Sequence, residues 1–164
     1  MHASPVSPMV VSGTDHSLGL SSDGTVYGWG SNASGQIGFG RKLQATSPQA
    51  VSGLNLGQNS GLHWVSSGNA HELIVKSDGS VWARGDNSSD QLGDGTNVNH
   101  SSLVQVQGLS SVVAVAAGYD HSLSVKSDGS VWAWGGDYSI DAHASMLDLT
   151  PVTPPVTLDP LATL

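Results

Sequence analysis

Three histidines in this sequence share one local motif, and imidazole is a side chain that does chemistry near neutral pH. His16, His71 and His121 each follow a glycine by three residues. Three converging imidazoles would suit a catalytic zinc ion, which often has three protein ligands and one position open to water. With Asp15 and Asp120 beside them, one interpretation is a metal-assisted hydrolase that uses zinc or another divalent cation.

A structural role is the preferred interpretation of the same histidines. Each alternates with apolar residues, as in His121-Ser-Leu-Ser-Val125, so that imidazole, leucine and valine share one face of a strand. Such a histidine packs between neighbouring elements and hydrogen-bonds a backbone group. Under this interpretation the chain holds no metal or other cofactor, and no catalytic residue is assigned.

The motif recurs because the chain contains internal repeats, and repeats decide architecture. The copies that begin at Gly13, Gly68 and Gly118 share the histidine, an Asp-Gly pair and a later glycine. These positions are offset by 55 residues between the first two copies and by 50 between the last two. A repeat unit of roughly 50 residues is typical of a propeller blade.

Each unit has the pattern of four short β-strands. In the third unit, 112–117 is apolar and small, as expected of an inner strand, and the alternating segment 121–125 follows it. Ser-Asp-Gly then predicts a hairpin turn in which glycine takes a positive φ, before a second β-rich segment at 131–135. Outer strands are suggested at 103–106 and, one unit earlier, at 48–51. Four such strands predict an all-β propeller blade.

The sequence therefore predicts a single partial propeller of about three four-stranded blades. The expected blades span about 5–50, 51–105 and 106–149, and a strand-like, proline-rich tail follows at 150–164. The third copy diverges after Gly135, so the role of 136–149 is not assigned.

These motifs resemble the repeat of the regulator of chromosome condensation family. Gly118-Tyr-Asp-His121, Asp128-Gly129 and Val131-Trp-Ala-Trp-Gly135 match it in order, and 35–40 and 91–95 match its Gly-Gln-Leu-Gly-x-Gly segment. The resemblance covers about 10–135 and implies propeller blades. The family usually has seven blades, so a chain with three repeats is expected to be a partial ring.

Three blades alone would leave two apolar blade faces in water, which points to association. We therefore expect the chain to pair with itself, head to tail about a two-fold axis, as a homodimer that completes a ring of about six blades.

The resemblance also implies a binding face. In the family's chromatin member, residues of the Gly-x-x-His loops contact a partner, and the corresponding positions here are Asp15, Asn69, Tyr119 and Asp120. A further resemblance is to secreted bacterial inhibitor propellers, which bind an enzyme through aromatic residues in the same loops; here Tyr119 alone matches. The resulting prediction is a protein-interaction module, and the family's nucleotide-exchange activity is not carried over.

The composition argues against several classes of binding partner and site. The formal net charge of −8 argues against binding to nucleic acid and to anionic membrane surfaces. The absence of cysteine excludes disulfides and thiolate zinc sites. The first residues lack the basic start and apolar run of a signal peptide, so we expect a soluble protein, and the sequence assigns no compartment.

Overall fold

The structure, a computed structural model, describes residues 7–39, 44–55, 62–136 and 150–151. Within these residues the chain forms three four-stranded antiparallel sheets and no helix, which confirms the predicted all-β blades. Blade 1 contains β1 (Met9–Ser12), β2 (His16–Leu20), β3 (Thr25–Gly30) and β4 (Ala45–Asn55). Blade 2 contains β5 (Leu62–Ser67), β6 (His71–Lys76), β7 (Val81–Gly85) and β8 (His100–Gln105). Blade 3 contains β9 (Val112–Ala117), β10 (His121–Lys126), β11 (Val131–Gly135) and β12 (Thr150–Pro151).

The strands of each blade are paired in chain order, so every blade is a simple meander. The first strands of neighbouring blades contact one another, β1 with β5 and β5 with β9, which places them on the inner side of the array. The Asp-Gly turns join the second and third strands, and Gly24, Gly79 and Gly129 have φ of 85°, 77° and 84°. The positive φ expected of these glycines is therefore confirmed.

Two apolar cores lie between the blades. Because alternate residues of a strand point to opposite faces, each blade offers one face to each neighbour. Blade 2 is covered on both sides, and five consecutive residues from His71 are buried, whereas in β2 and β10 burial alternates. Blades 1 and 2 enclose Leu18, Leu20, Val26, Ile37, Val51, Val65 and Ile74. Blades 2 and 3 enclose Leu73, Val75, Val81, Ala83, Leu92, Val106, Leu109, Val112, Val115 and Trp134.

Two ends of elements differ from the simple repeat. The outer strand of blade 1 continues to Asn55, past the boundary expected near residue 50. The start of the proline-rich tail supplies the outer strand of blade 3, where Trp132 pairs with Pro151 and Ala133 with Thr150. The divergent stretch at 137–149 and the tail beyond 151 lie outside the described residues.

Candidate interaction face and the contacts between blades

The Gly-x-x-His segments form three tight loops between the first and second strands of the blades. In each loop the glycine N–H donates to the carbonyl of the histidine, at 2.8 Å for Gly13 and Gly68 and 2.9 Å for Gly118. The imidazole folds back over its own glycine, so that a Cβ on any of the three would collide with the ring. Glycine is therefore required here by close approach of the ring.

Neighbouring loops also contact each other directly. A Cβ on Gly13 would meet the carbonyl oxygen of Gly68, and a Cβ on Gly68 would meet that of Gly118. Asn69 N–H donates to the Gly118 carbonyl at 3.1 Å, which links the second loop to the third. The three loops thus form a continuous row at one end of the blades, named here the loop row.

The structure brings all four predicted binding residues into the loop row. The Asp15 side chain is 59% exposed and Tyr119 is 61% exposed, whereas Asn69 and Asp120 are half-buried. The carboxylate of Asp120 lies against Gly136, where a Cβ would come within 2.7 Å of it. The row therefore presents one carboxylate and one aromatic ring to solvent on a backbone fixed by hydrogen bonds.

Two histidines of the loop row, His16 and His71, point into the contacts between blades. His71 is fully buried, and its Nε2 is 3.0 Å from Ser122 Oγ of blade 3, which in turn donates to the carbonyl of Gln91 at 2.8 Å. The partner is thus a side-chain hydroxyl and not the backbone group that the sequence suggested. His16 is equally enclosed, and its Nε2 is 3.8 Å from Glu72 Oε1 of blade 2. His121 has no following blade among the described residues and is half-buried.

Burial also decides the charge of these imidazoles. Desolvation lowers the pKa of His71 to about 4, and the charge of Asp86 acts in the opposite direction. Desolvation likewise lowers the pKa of His16, against the opposing effect of Asp15. Both rings are therefore neutral near pH 7.

The alternative interpretation of these histidines is a metal site, which requires several ligands to lie close together. Among the described residues, no three His, Cys, Asp or Glu side chains lie close enough together to hold a metal ion. His16, His71 and His121 each occupy a different blade, and Asp15 and Asp120 directly precede the first and the third of them. The hydrolase interpretation stays a hypothesis. Nε2 of His100, the first residue of β8, lies 3.0 Å from Asp94 Oδ2. A second group that could bind a metal by residue type, Asp137, Asp141 and His143 of the divergent stretch, lies outside the described residues.

A buried ion pair lies between blades 1 and 2 and was not predicted. Glu72 and Arg84 face each other across β6 and β7, and both are almost completely buried. Arg84 Nε donates to Glu72 Oε2 at 2.7 Å and lies 3.0 Å from the Gln36 carbonyl of blade 1, and Nη2 is 2.6 Å from Oε2. Burial raises the pKa of Glu72 to about 7, although Arg84 acts to lower it.

A signal for this pair exists in the repeat alignment. Glu72 stands where the other copies have Ser17 and Ser122, and Arg84 where they have Trp29 and Trp134. Each of these pairs is a direct cross-strand pair. Two opposite charges that replace two neutral residues at paired positions indicate a contact, although their burial depends on the adjacent blade.

The described residues include no helix that is long and apolar enough to cross a membrane.

Comparison with known proteins places these repeats. Models described as the regulator of chromosome condensation (RCC1) repeat match residues 10–36, 78–125 and 112–139. The probable E3 ubiquitin-protein ligase HERC6 of Homo sapiens is 42% identical over 87 residues, which are 51% of this chain and 8% of that protein. The ultraviolet-B receptor UVR8 of Arabidopsis thaliana is 36% identical over 98 residues, 60% of this chain and 22% of the receptor. The chain thus spans only a small part of these relatives.

Solved structures agree with the fold. Human WBSCR16 superposes with a TM-score of 0.69 at 28% identity, over 77% of this chain and 32% of that one. Prp20p of Saccharomyces cerevisiae, whose structure was described with its binding to Gsp1p and histones, superposes with a TM-score of 0.68 at 23% identity, over 77% and 32%. From its matched repeats and its blades, the chain belongs to the RCC1 repeat family.

Proposed function

We propose that this chain is a protein-interaction module that binds its partner through the loop row. The observation that carries the proposal is that some residues of the loops make internal contacts while others are exposed. In each loop the glycine makes the loop hydrogen bond, and His16 and His71 are buried in the contacts between blades. Asp15 and Tyr119, in contrast, project to solvent. Because the loop backbone is already fixed, binding has to order only the exposed side chains and not the loop itself.

The chemistry of the row favours a basic partner surface. Asp15 and Asp120 bring negative charge to one end of the blades, and the whole chain has a formal charge of −8. A tyrosine offers an apolar ring and a hydroxyl together, which is why this residue type is enriched in interfaces. Prp20p, which shares the fold, is described as binding Gsp1p and histones, so the architecture is compatible with protein partners.

A synthetic peptide rich in Lys and Arg with one aromatic residue tests the proposal by fluorescence polarisation. We expect binding that weakens with salt, and a loss of roughly tenfold or more in the Asp15→Lys, Tyr119→Ala double variant. Ser77→Lys is the matched control, because Ser77 is exposed in the turn at the other end of the strands. Equal affinity of the three proteins, or tighter binding of an acidic peptide of the same length, would place the interaction elsewhere.

We also propose that the chain associates with itself, as a homodimer of about six blades. The described residues contain three blades in a row, so one face of blade 1 and one face of blade 3 have no neighbour within them. Val10, Tyr27, Val113 and Val131 are exposed apolar residues of these two blades, and large exposed apolar patches favour association.

A further inference from the structure

The open face of blade 3 repeats a face that is buried inside the chain. His121, Leu123 and Val125 of β10 project outward and are half-buried. They correspond to His71, Leu73 and Val75 of β6, which are the same residue types and are 0% exposed because blade 3 covers them. The open face of blade 3 therefore has the same residues as the face that blade 2 uses in its contact with blade 3.

The open face of blade 1 resembles the other half of that contact. Blade 3 meets blade 2 with Ser122, Ser124 and Trp134, which are all buried. The corresponding residues of blade 1 are Ser17, Gly19 and Trp29, on the face that has no neighbour among the described residues. Gly19 and Trp29 also line an apolar hollow of about 440 Å³, together with Met9, Val10, Leu20, Tyr27 and Pro48.

The face of blade 2 that meets blade 1 is of a different type. It carries Glu72 and Arg84, and the arginine binds the Gln36 carbonyl of blade 1. The open face of blade 1 has serine and tryptophan at these two positions. It therefore matches the kind of face that already covers a His-x-Leu-x-Val strand in this chain.

We infer that the open face of blade 3 receives the open face of blade 1 from a second copy of this chain, with His121 Nε2 on Ser17 Oγ as His71 is on Ser122. The inference rests on the proposed self-association and assigns its interface. The contact joins two different surfaces, so each copy uses both, and two copies close on each other about a two-fold axis. Trp134 Nε1 donates to the Gln91 carbonyl at 2.9 Å in the internal contact. The counterpart of Gln91 in blade 3 lies outside the described residues.

Two variants of the full chain test the interface, because each disables one of its halves. Leu123→Asp disables the open face of blade 3, and Trp29→Asp disables that of blade 1. Sedimentation velocity should give a dimer for the unaltered chain and a monomer for either variant alone. An equimolar mixture should recover dimers, since each variant keeps the half that the other has lost. Val98→Asp, at a residue 57% exposed in the outer loop of blade 2, should remain dimeric.

Milder substitutions keep the test decisive if an aspartate variant fails to fold. Leu123→Ser and Trp29→Ser should each raise the dimer dissociation constant about tenfold or more, with circular dichroism unchanged. A dimer that is insensitive to all four variants would overturn this interface and leave self-association standing. A monomer of the unaltered chain at micromolar concentration would overturn both. Peptide binding at the loop row is a separate measurement, and its failure leaves this result untouched.

Discussion

The contact between blades 1 and 2 and the contact between blades 2 and 3 use the same backbone positions with different side chains. In the first, Arg84 Nε donates to the Gln36 carbonyl at 3.0 Å. In the second, Trp134 Nε1 donates to the Gln91 carbonyl at 2.9 Å. The acceptor is a main-chain oxygen in both, so the repeat conserves the geometry of the contact and leaves the donor free to vary.

In both contacts, a glycine two residues after the acceptor leaves space for the donor side chain. A Cβ on Gly38 would collide with the guanidinium of Arg84, and a Cβ on Gly93 would lie 2.8 Å from Trp134 Nε1. The glycine that ends the Gly-Gln-Ile-Gly and Asp-Gln-Leu-Gly segments is thus explained by close approach of the next blade.

The difference lies in what the donor requires beside it. The indole is neutral, and the neighbouring Ser122 is used by His71 and Gln91. A buried guanidinium requires a counter-charge, and Glu72 supplies it. A contact of the second type can therefore lose one polar partner at modest cost, whereas one of the first type cannot.

The largest expected effect comes from removing the counter-charge. At a pH above the raised pKa of Glu72, where its carboxylate is charged, Glu72→Ala should lower the free energy of unfolding by about 3–5 kcal/mol, because it leaves Arg84 charged, buried and unpaired. The matched change in the other contact, Ser122→Ala, should cost about 1–3 kcal/mol, since it leaves neutral groups without one partner. Urea unfolding of both variants measures the difference, and equal losses would show that the two contacts do not differ as described.

Converting one contact into the other sharpens the same comparison. The double variant Glu72→Ser, Arg84→Trp gives blade 2 the residues of blade 3, and replacing a buried ion pair by neutral residues is often close to neutral. We expect its free energy of unfolding to be within about 1–2 kcal/mol of that of the unaltered chain and well above that of Glu72→Ala. A double variant less stable than Glu72→Ala would mean that blade 1 accepts only the charged face.

The pH dependence of stability should also distinguish the contacts. Burial raises the pKa of Glu72 from 4.5 to about 7, so between these values the folded chain binds a proton that the unfolded chain has lost. Stability from this group therefore falls as pH rises from about 4.5 to 7. The pKa of His71, lowered from 6.5 to about 4, acts oppositely, and its contribution rises with pH over that range.

Glu72→Gln isolates the first effect. The stability of the unaltered chain relative to this variant should fall by roughly 2–3 kcal/mol between pH 4.5 and 7 and then level off. Urea unfolding at intervals of pH supplies the two curves. Parallel curves would show that the pKa of Glu72 is not raised, and a difference that grows with pH would reverse the sign.

The sequence predicted the blades because their signals are local. Alternation, the Asp-Gly turn and the offsets of 55 and 50 residues specify strands and hairpins without knowledge of the neighbouring blade. The partner of His71 was predicted as a backbone group and is Ser122, which is distant in sequence. The burial of Glu72 likewise depends on blade 1. Predictions failed where a residue's environment is set by the adjacent blade.

The smallest expected effect compares a hairpin turn that has a neighbouring blade with one that has none among the described residues. Gly79 and Gly129 both have positive φ, so alanine is strained at either by about 1–2 kcal/mol. A Cβ on Gly79 would also lie 2.8 Å from Ser111 Cα of the linker to blade 3, whereas one on Gly129 meets nothing within 4 Å. Val112 N–H donates to the Gly79 carbonyl at 3.1 Å, so this turn cannot move away without losing a hydrogen bond. Gly79→Ala should therefore cost roughly 1 kcal/mol more than Gly129→Ala.

The measurement is urea unfolding in the Trp29→Asp background, in which blade 3 has no second copy against it. Equal losses there would mean that Ser111 yields to the methyl group, and that the contact between blades 2 and 3 is looser at the turns than at Trp134.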